Sequence, residues 1–99
     1  MKVVEGKLYK SIFLRAKGLM FSRPKTIIIE FPKEERISLH MWFVFYSINT
    51  YFLKSDKKIV EIKRLKPFTL FTSKRKAKYV IETVENLKLK KGEKVLFKT

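Results

Sequence analysis

The apolar positions of the chain fall into short runs separated by lysine-rich polar segments, and most runs carry the alternation or the β-branched composition of strands. The longest uncharged stretch, Ser38 to Leu53 (SLHMWFVFYSINTYFL), holds six of the fourteen aromatic residues and the only Trp. It is the segment most costly to leave in water, so the pattern centres the core there. Met41, Phe43 and Phe45 alternate with Trp42, Val44 and Tyr46, which predicts a strand apolar on both faces. Ser47 to Thr50 offers turn chemistry, with Asn49 tolerant of positive φ, and Tyr51 to Leu53 is expected to return antiparallel. A membrane span is not expected, because it requires about 20 mostly apolar residues and this stretch includes His40, Ser47, Asn49 and Thr50.

Before this hairpin, Val3 and Val4 suggest a short strand ahead of Gly6. Ser11 is placed to cap a short helix that Gly18 ends, with Ile12, Ala16 and Leu19 on one face and Arg15 and Lys17 outward. Thr26 to Phe31 reads as a buried strand ended by Pro32, and residues 33–36 as a polar loop. After it, residues 54–58 form a turn and Ile59 to Lys63 alternates as a half-buried strand. From Lys63 to Lys78 the chain has seven basic residues and no acid, and Pro67 confines that segment to an edge or loop. Tyr79 to Ile81 and Val95 to Phe97 complete the strands. The predicted fold is mainly β: residues 1–99 as one small domain, a sandwich or barrel of short, mostly antiparallel strands with one short N-terminal helix.

Charge changes this picture more than any motif does. Lys and Arg number 24 against 9 acids, a net charge of +15. Such a field fits an anionic partner, RNA or DNA first. The alternative is compositional: Lys abundance, no Gln or Cys and only two Asn, at 49 and 86, resemble a thermophile surface. The absence of Cys removes disulfides, thiolate metal sites and a Cys nucleophile. One His cannot form a His pair, so no metal is expected. Gly6, Gly18 and Gly92 are isolated, so no phosphate-cradling loop forms and no cofactor is expected. No catalytic constellation is apparent, and catalysis is the less favoured reading. The N-terminus lacks the apolar run of a signal peptide, and the expected location is cytoplasmic.

The candidate anion-binding residues are Lys63, Arg64, Lys66, Lys74, Arg75, Lys76 and Lys78, with Phe68 and Phe71 between them as rings on which bases stack. The competing reading makes Phe68, Leu70 and Phe71 core, with the lysines protecting an edge strand from aggregation. A second functional reading is an apolar groove near Met20, His40, Met41 and Trp42 that takes a protein or a small ligand. His40 is otherwise expected as a hydrogen-bonded packing residue. Glu82, closing an apolar strand, is expected in a strand-end ion pair, with Arg15 as the candidate partner.

Six segments in order, AKGLMF at 16–21, HMWFVF at 40–45, INTYFLKSDKKIVEI at 48–62, KPF at 66–68, AKYVIE at 77–82 and GEKVLF at 92–97, resemble the uncharacterised family called domain of unknown function 192, in its archaeal form. The resemblance covers nearly the whole chain and implies a compact, mainly β fold with a short helix; it implies no activity. In two places this chain departs from the family pattern. Asn49 stands where the family usually has Asp, and Thr83-Val84-Glu85 stands in place of a Pro-Ala-Gly-like turn.

Overall fold

Three runs of consecutive buried residues, Ile27 to Ile29, Tyr51 to Leu53 and Val80 to Thr83, lie side by side and are covered on both faces. Successive strand residues point to opposite sides of a sheet, so a strand buried on both sides is apolar at nearly every position, Glu82 and Thr83 being the exceptions in these runs. These runs form the centre of a computed structural model that describes residues 2–10, 25–41 and 44–99. The described strands are β1 (Lys2–Glu5), β2 (Lys7–Lys10), β3 (Ile27–His40), β4 (Ile48–Leu53), β5 (Ile59–Leu65), β6 (Leu70–Thr83) and β7 (Val95–Lys98). A five-stranded sheet has the order β2-β3-β6-β4-β5, and β1 pairs with β7 in a separate two-stranded sheet. The β3–β6, β4–β5 and β4–β6 pairings are antiparallel, while β2–β3 and β1–β7 are parallel.

The central sheet separates two apolar clusters. On one face Ile27, Ile29, Phe31, Ile37, Phe52 and Val80 pack with Met41 and Val44. On the other, Ile28, Tyr51, Leu53, Ile59 and Ile81 pack against Val4 of β1, Val95 of β7 and Leu89. The β1–β7 pair is therefore the lid of the second core. Gly6 lies where the chain leaves this lid for β2; a Cβ there would stand 3.0 Å from both Thr26 Cγ2 and the Thr26 carbonyl oxygen. A side chain fits there only if Thr26 gives way by a few tenths of an ångström.

Several expectations are corrected. The strands are not uniformly short, because β3 and β6 each run for 14 residues. Pro32 does not end its strand, and residues 33–36 are not a loop: β3 continues through them, with the register shift between Glu30 and Glu35 absorbing the missing N–H. The hairpin across Ser38 to Leu53 does not form. Met41 and residues 44–47 lie outside the strands, and Asn49 and Thr50 belong to β4, whose partners are β5 and β6. Residues 63–78 comprise the end of the edge strand β5, a turn that holds Pro67 and, paired on one side only with β3, the first half of β6. Tyr79 to Ile81 is the end of that same strand. The turn at residues 54–58 and the strands at Val3-Val4, Ile59 to Lys63 and Val95 to Phe97 are present. The helix expected from Ser11 to Gly18 lies outside the described residues, among which there is no helix.

Candidate functional site

The first half of β6 pairs with β3 alone, forming a two-stranded ribbon beyond the part of β6 that pairs with β4. One face of the ribbon is apolar: Ile37, Leu39 and Phe71 turn into the first core. Residues directly opposite on paired strands point to the same side, so the outer face is set by the register. Arg36 opposes Lys76, Ser38 opposes Thr72 and His40 opposes Leu70. All are exposed except His40, which is half-buried. The Ser38 and Thr72 hydroxyls are hydrogen-bonded at 2.9 Å across the strands.

A bulge interrupts the ribbon between Thr72 and Lys76 and is held from inside. Ser73 Oγ accepts from the Ile37 N–H at 2.8 Å and donates to the Arg75 carbonyl at 2.8 Å. The Glu61 carboxylate on β5 accepts from the backbone N–H groups of Lys74 and Arg75 at 2.8 and 3.0 Å. Arg36 Nε donates to the Ser73 carbonyl at 2.9 Å, which lays its guanidinium along the outer face. Paired backbone donors meet a carboxylate inside, and the cationic side chains are left outside.

At the far end of the ribbon, Met41 N–H donates to the Thr69 carbonyl at 2.7 Å and Phe68 N–H to the Met41 carbonyl at 2.8 Å. This turn holds Phe68 at φ 58°, a left-handed conformation that a bulky residue adopts only when its surroundings impose it. The Phe68 ring is 44% exposed and meets the Phe45 ring, 66% exposed, edge to face at 5.5 Å and 72°. Leu70, 68% exposed, lies two residues on. The turn thus presents apolar rings to solvent beside Lys66.

Not all the sequence-predicted residues converge. Lys63, Arg64, Lys66, Lys74, Arg75 and Lys76 are exposed, but Lys63 and Arg64 point to opposite faces of β5: Lys63 Nζ lies 5.8 Å from the centre of the Phe71 ring, and Arg64 donates to Asn49 Oδ1 at 3.3 Å. Lys78 is half-buried and pairs with Glu30 at 3.6 Å. Of the two rings, Phe68 is exposed at the turn, whereas Phe71 is half-buried against Phe52 at 5.8 Å. Of the expected groove residues, Met41 is buried in the core, and Met20 and Trp42 lie outside the described residues. His40 is half-buried with Nδ1 enclosed and without a hydrogen bond, not the satisfied packing residue expected. Arg36, Ser38 and Thr72 were not singled out in the sequence; the signal that finds them is the cross-strand register, which only the paired structure supplies, and Phe45 is found by its ring contact with Phe68.

Glu82 sits in the middle of the sheet, opposite Ile27 on β3 and Thr50 on β4, and is 6% exposed. Burial pushes its carboxyl up to about 7. It makes no ion pair among the described residues, and Arg15 lies outside them. Partial burial, and then the Glu82 charge, raise the Tyr46 phenol. Among the described residues no cluster of three His, Asp or Glu could hold a metal ion, and no helix is long and apolar enough to cross a membrane.

Fold and surface together define a small, mainly β protein built on a mixed five-stranded sheet with an exposed basic ribbon. The chain belongs to the family of domain of unknown function 192, described as Uncharacterized ACR, whose model matches residues 2–97. A UPF0127 protein of Pyrococcus horikoshii is 37% identical over 87 residues, covering 85% of this chain and 76% of the relative. One of Thermococcus sibiricus is also 37% identical, and there the chain spans about half the relative, 53%. Two solved structures share the fold. A Novosphingobium aromaticivorans protein of unknown function has a TM-score of 0.79 at 20% identity, covering 90% of this chain and 71% of its own. A Sinorhizobium meliloti protein named "putative transcription regulator" has a TM-score of 0.76 at 22% identity, covering 86% and 74%.

Proposed function

We propose that this protein is a noncatalytic binding module that meets nucleic acid through its basic surface. The observation that carries the reading is that Lys63, Arg64, Lys66, Lys74, Arg75 and Lys76 are all exposed and none is ion-paired to an acid among the described residues. Exposed cations that no acid neutralises are what a phosphate backbone requires, since each contact releases a counterion. The name of the Sinorhizobium meliloti neighbour points the same way at the level of a binding role.

The test compares two triple variants. Lys74→Ala, Arg75→Ala and Lys76→Ala together should make the log-affinity against log-salt slope shallower by about 2 units for single-stranded RNA or DNA. The control removes Lys2, Lys7 and Lys33, all exposed and outside the segment 63–78. Equal slopes and affinities for the two variants would reduce binding to the distributed charge of +15.

A further inference from the structure

Resting on that reading, we infer that the outer face of the β3–β6 ribbon holds one backbone phosphate of the nucleic acid between Arg36 and Lys76, with a hydroxyl of the Ser38–Thr72 pair as a further donor. Arg36 and Lys76 are register partners on paired strands, so their side chains leave the sheet on the same side. The Cβ atoms of such partners stand about 4.5 to 5.5 Å apart, and like charges so placed destabilise a sheet. Neither cation is ion-paired to an acid among the described residues. Glu35, next to Arg36 in sequence, pairs with Ala77 and takes the other face by alternation. An anion seated between the two cations turns their repulsion into two attractions.

Neighbouring groups orient this site. The bond from Arg36 Nε to the Ser73 carbonyl occupies one guanidinium donor and leaves the two terminal nitrogens for a ligand. Ser73 lies between Thr72 and Lys76 in β6, so the same bond holds the guanidinium over the stretch that separates Lys76 from the Ser38–Thr72 pair. Those two hydroxyls are 2.9 Å apart, and one donates to the other. A bond between two hydroxyls consumes only one of their two hydrogens, so one O–H is left to donate. The bulge offers no backbone site in place of these side chains: the N–H groups of Lys74 and Arg75 already donate to Glu61, and that of Ile37 to Ser73 Oγ. Three donor groups carried on two strands suit the tetrahedral oxygens of a phosphate, whereas the two oxygens of a carboxylate are filled by one Arg fork.

The test is a fluorescence-anisotropy titration of a labelled single strand at several salt concentrations, with the full chain and four variants, all altered at exposed residues. Arg36→Lys keeps the net charge at +15 but loses the planar fork. It should weaken binding roughly 2- to 10-fold at every salt concentration. Ser38→Ala with Thr72→Val removes hydroxyls alone and should weaken binding by a similar factor, with the slope unchanged. Arg36→Ala with Lys76→Ala should flatten the slope by about 0.7 units, the value for one phosphate held in common. A change of about 1.4 units, the value for two separate contacts, overturns the shared site. Lys2→Ala with Lys7→Ala removes the same charge elsewhere and is the reference. An Arg36→Lys variant that binds like the unaltered protein, with an Arg36→Ala and Lys76→Ala variant that matches the reference, overturns the site and leaves nucleic-acid binding standing. Inorganic phosphate at matched ionic strength separates the sources of the ligand. If it raises the Tm of the unaltered protein and not that of the Arg36→Ala and Lys76→Ala variant, while the single strand fails to bind, the phosphate site stands and the nucleic-acid reading falls. Failure of the strand to bind at low salt, with no such rise in Tm, overturns both.

Discussion

At the scale of single residues the two central positions that matter most are Phe52 and Glu82, on the same face of the sheet. Phe52 is fully buried beneath Phe71 and the first core, so Phe52→Ala should cost on the order of 3 to 5 kcal/mol in chemical denaturation. A loss below about 1 kcal/mol would mean that the site collapses without a cavity. Glu82 acts in the opposite sense. Its carboxyl titrates near 4.5 ordinarily and at about 7 in the fold. Between these values the folded protein holds a proton that the unfolded chain has released, so stability from this group is greatest below the lower value and falls as pH rises through the higher one. Glu82→Gln should remove that slope and stabilise the protein at about pH 8 by on the order of 3 kcal/mol. Urea melts of both proteins from about pH 5 to pH 8 decide it, and parallel curves would show that Glu82 stays ionised throughout. Asn49 carries a smaller effect: its Nδ2 donates to the Glu85 carbonyl at 2.9 Å, tying β4 to the loop after β6. Asn49→Ala should cost about 1 kcal/mol, and an ionised Asp in its place could not make this donation.

The ribbon formed by β3 and β6 shows at the element scale how far the sequence could be read. Isoleucines at 27–29 and the run at 79–81 announce buried strands by composition alone. Their continuations do not, because residues 31–36 and 72–76 pass through irregularities where alternation breaks and where Pro32 meets no ladder partner. The pairing that builds the outer face joins residues such as Ser38 and Thr72, 34 positions apart, and no local pattern encodes it. Lys66, Phe68 and Lys76 were legible because they lie in one basic segment, whereas Arg36 stands in a different segment and joins them only through register. Ser73 is the fastener of this element. Ser73→Ala should orphan the buried Ile37 N–H and cost about 1 to 3 kcal/mol, with faster hydrogen exchange at Ile37, Lys74 and Arg75 while β4 and β5 keep their protection. Uniformly faster exchange across the sheet would show that the bulge is not a separate unit.

The whole molecule divides its apolar residues between two cores, and this explains why the richest sequence stretch did not mark the centre. Among the described residues of the stretch Ser38 to Leu53, only Ile48 to Leu53 occupies the middle of the sheet; Met41 and Val44 cover its first core from outside the strands. Charge acts on the same large scale. The molecule measures 32 × 24 × 22 Å and carries a net charge of +15. At about 0.01 M salt the screening length is about 30 Å, so every cation repels every other across the fold; at about 0.15 M it is about 8 Å, and only neighbours interact. The compact state therefore gains more from added salt than the expanded chain does. Thermal melts should show Tm rising as NaCl increases from about 0.01 to 0.15 M, over the same range in which nucleic-acid affinity falls. The two trends have opposite signs because salt relieves repulsion within the protein and displaces attraction to its partner. A flat or falling Tm would mean that close ion pairs, such as Lys78 with Glu30, outweigh the long-range field of the remaining cations.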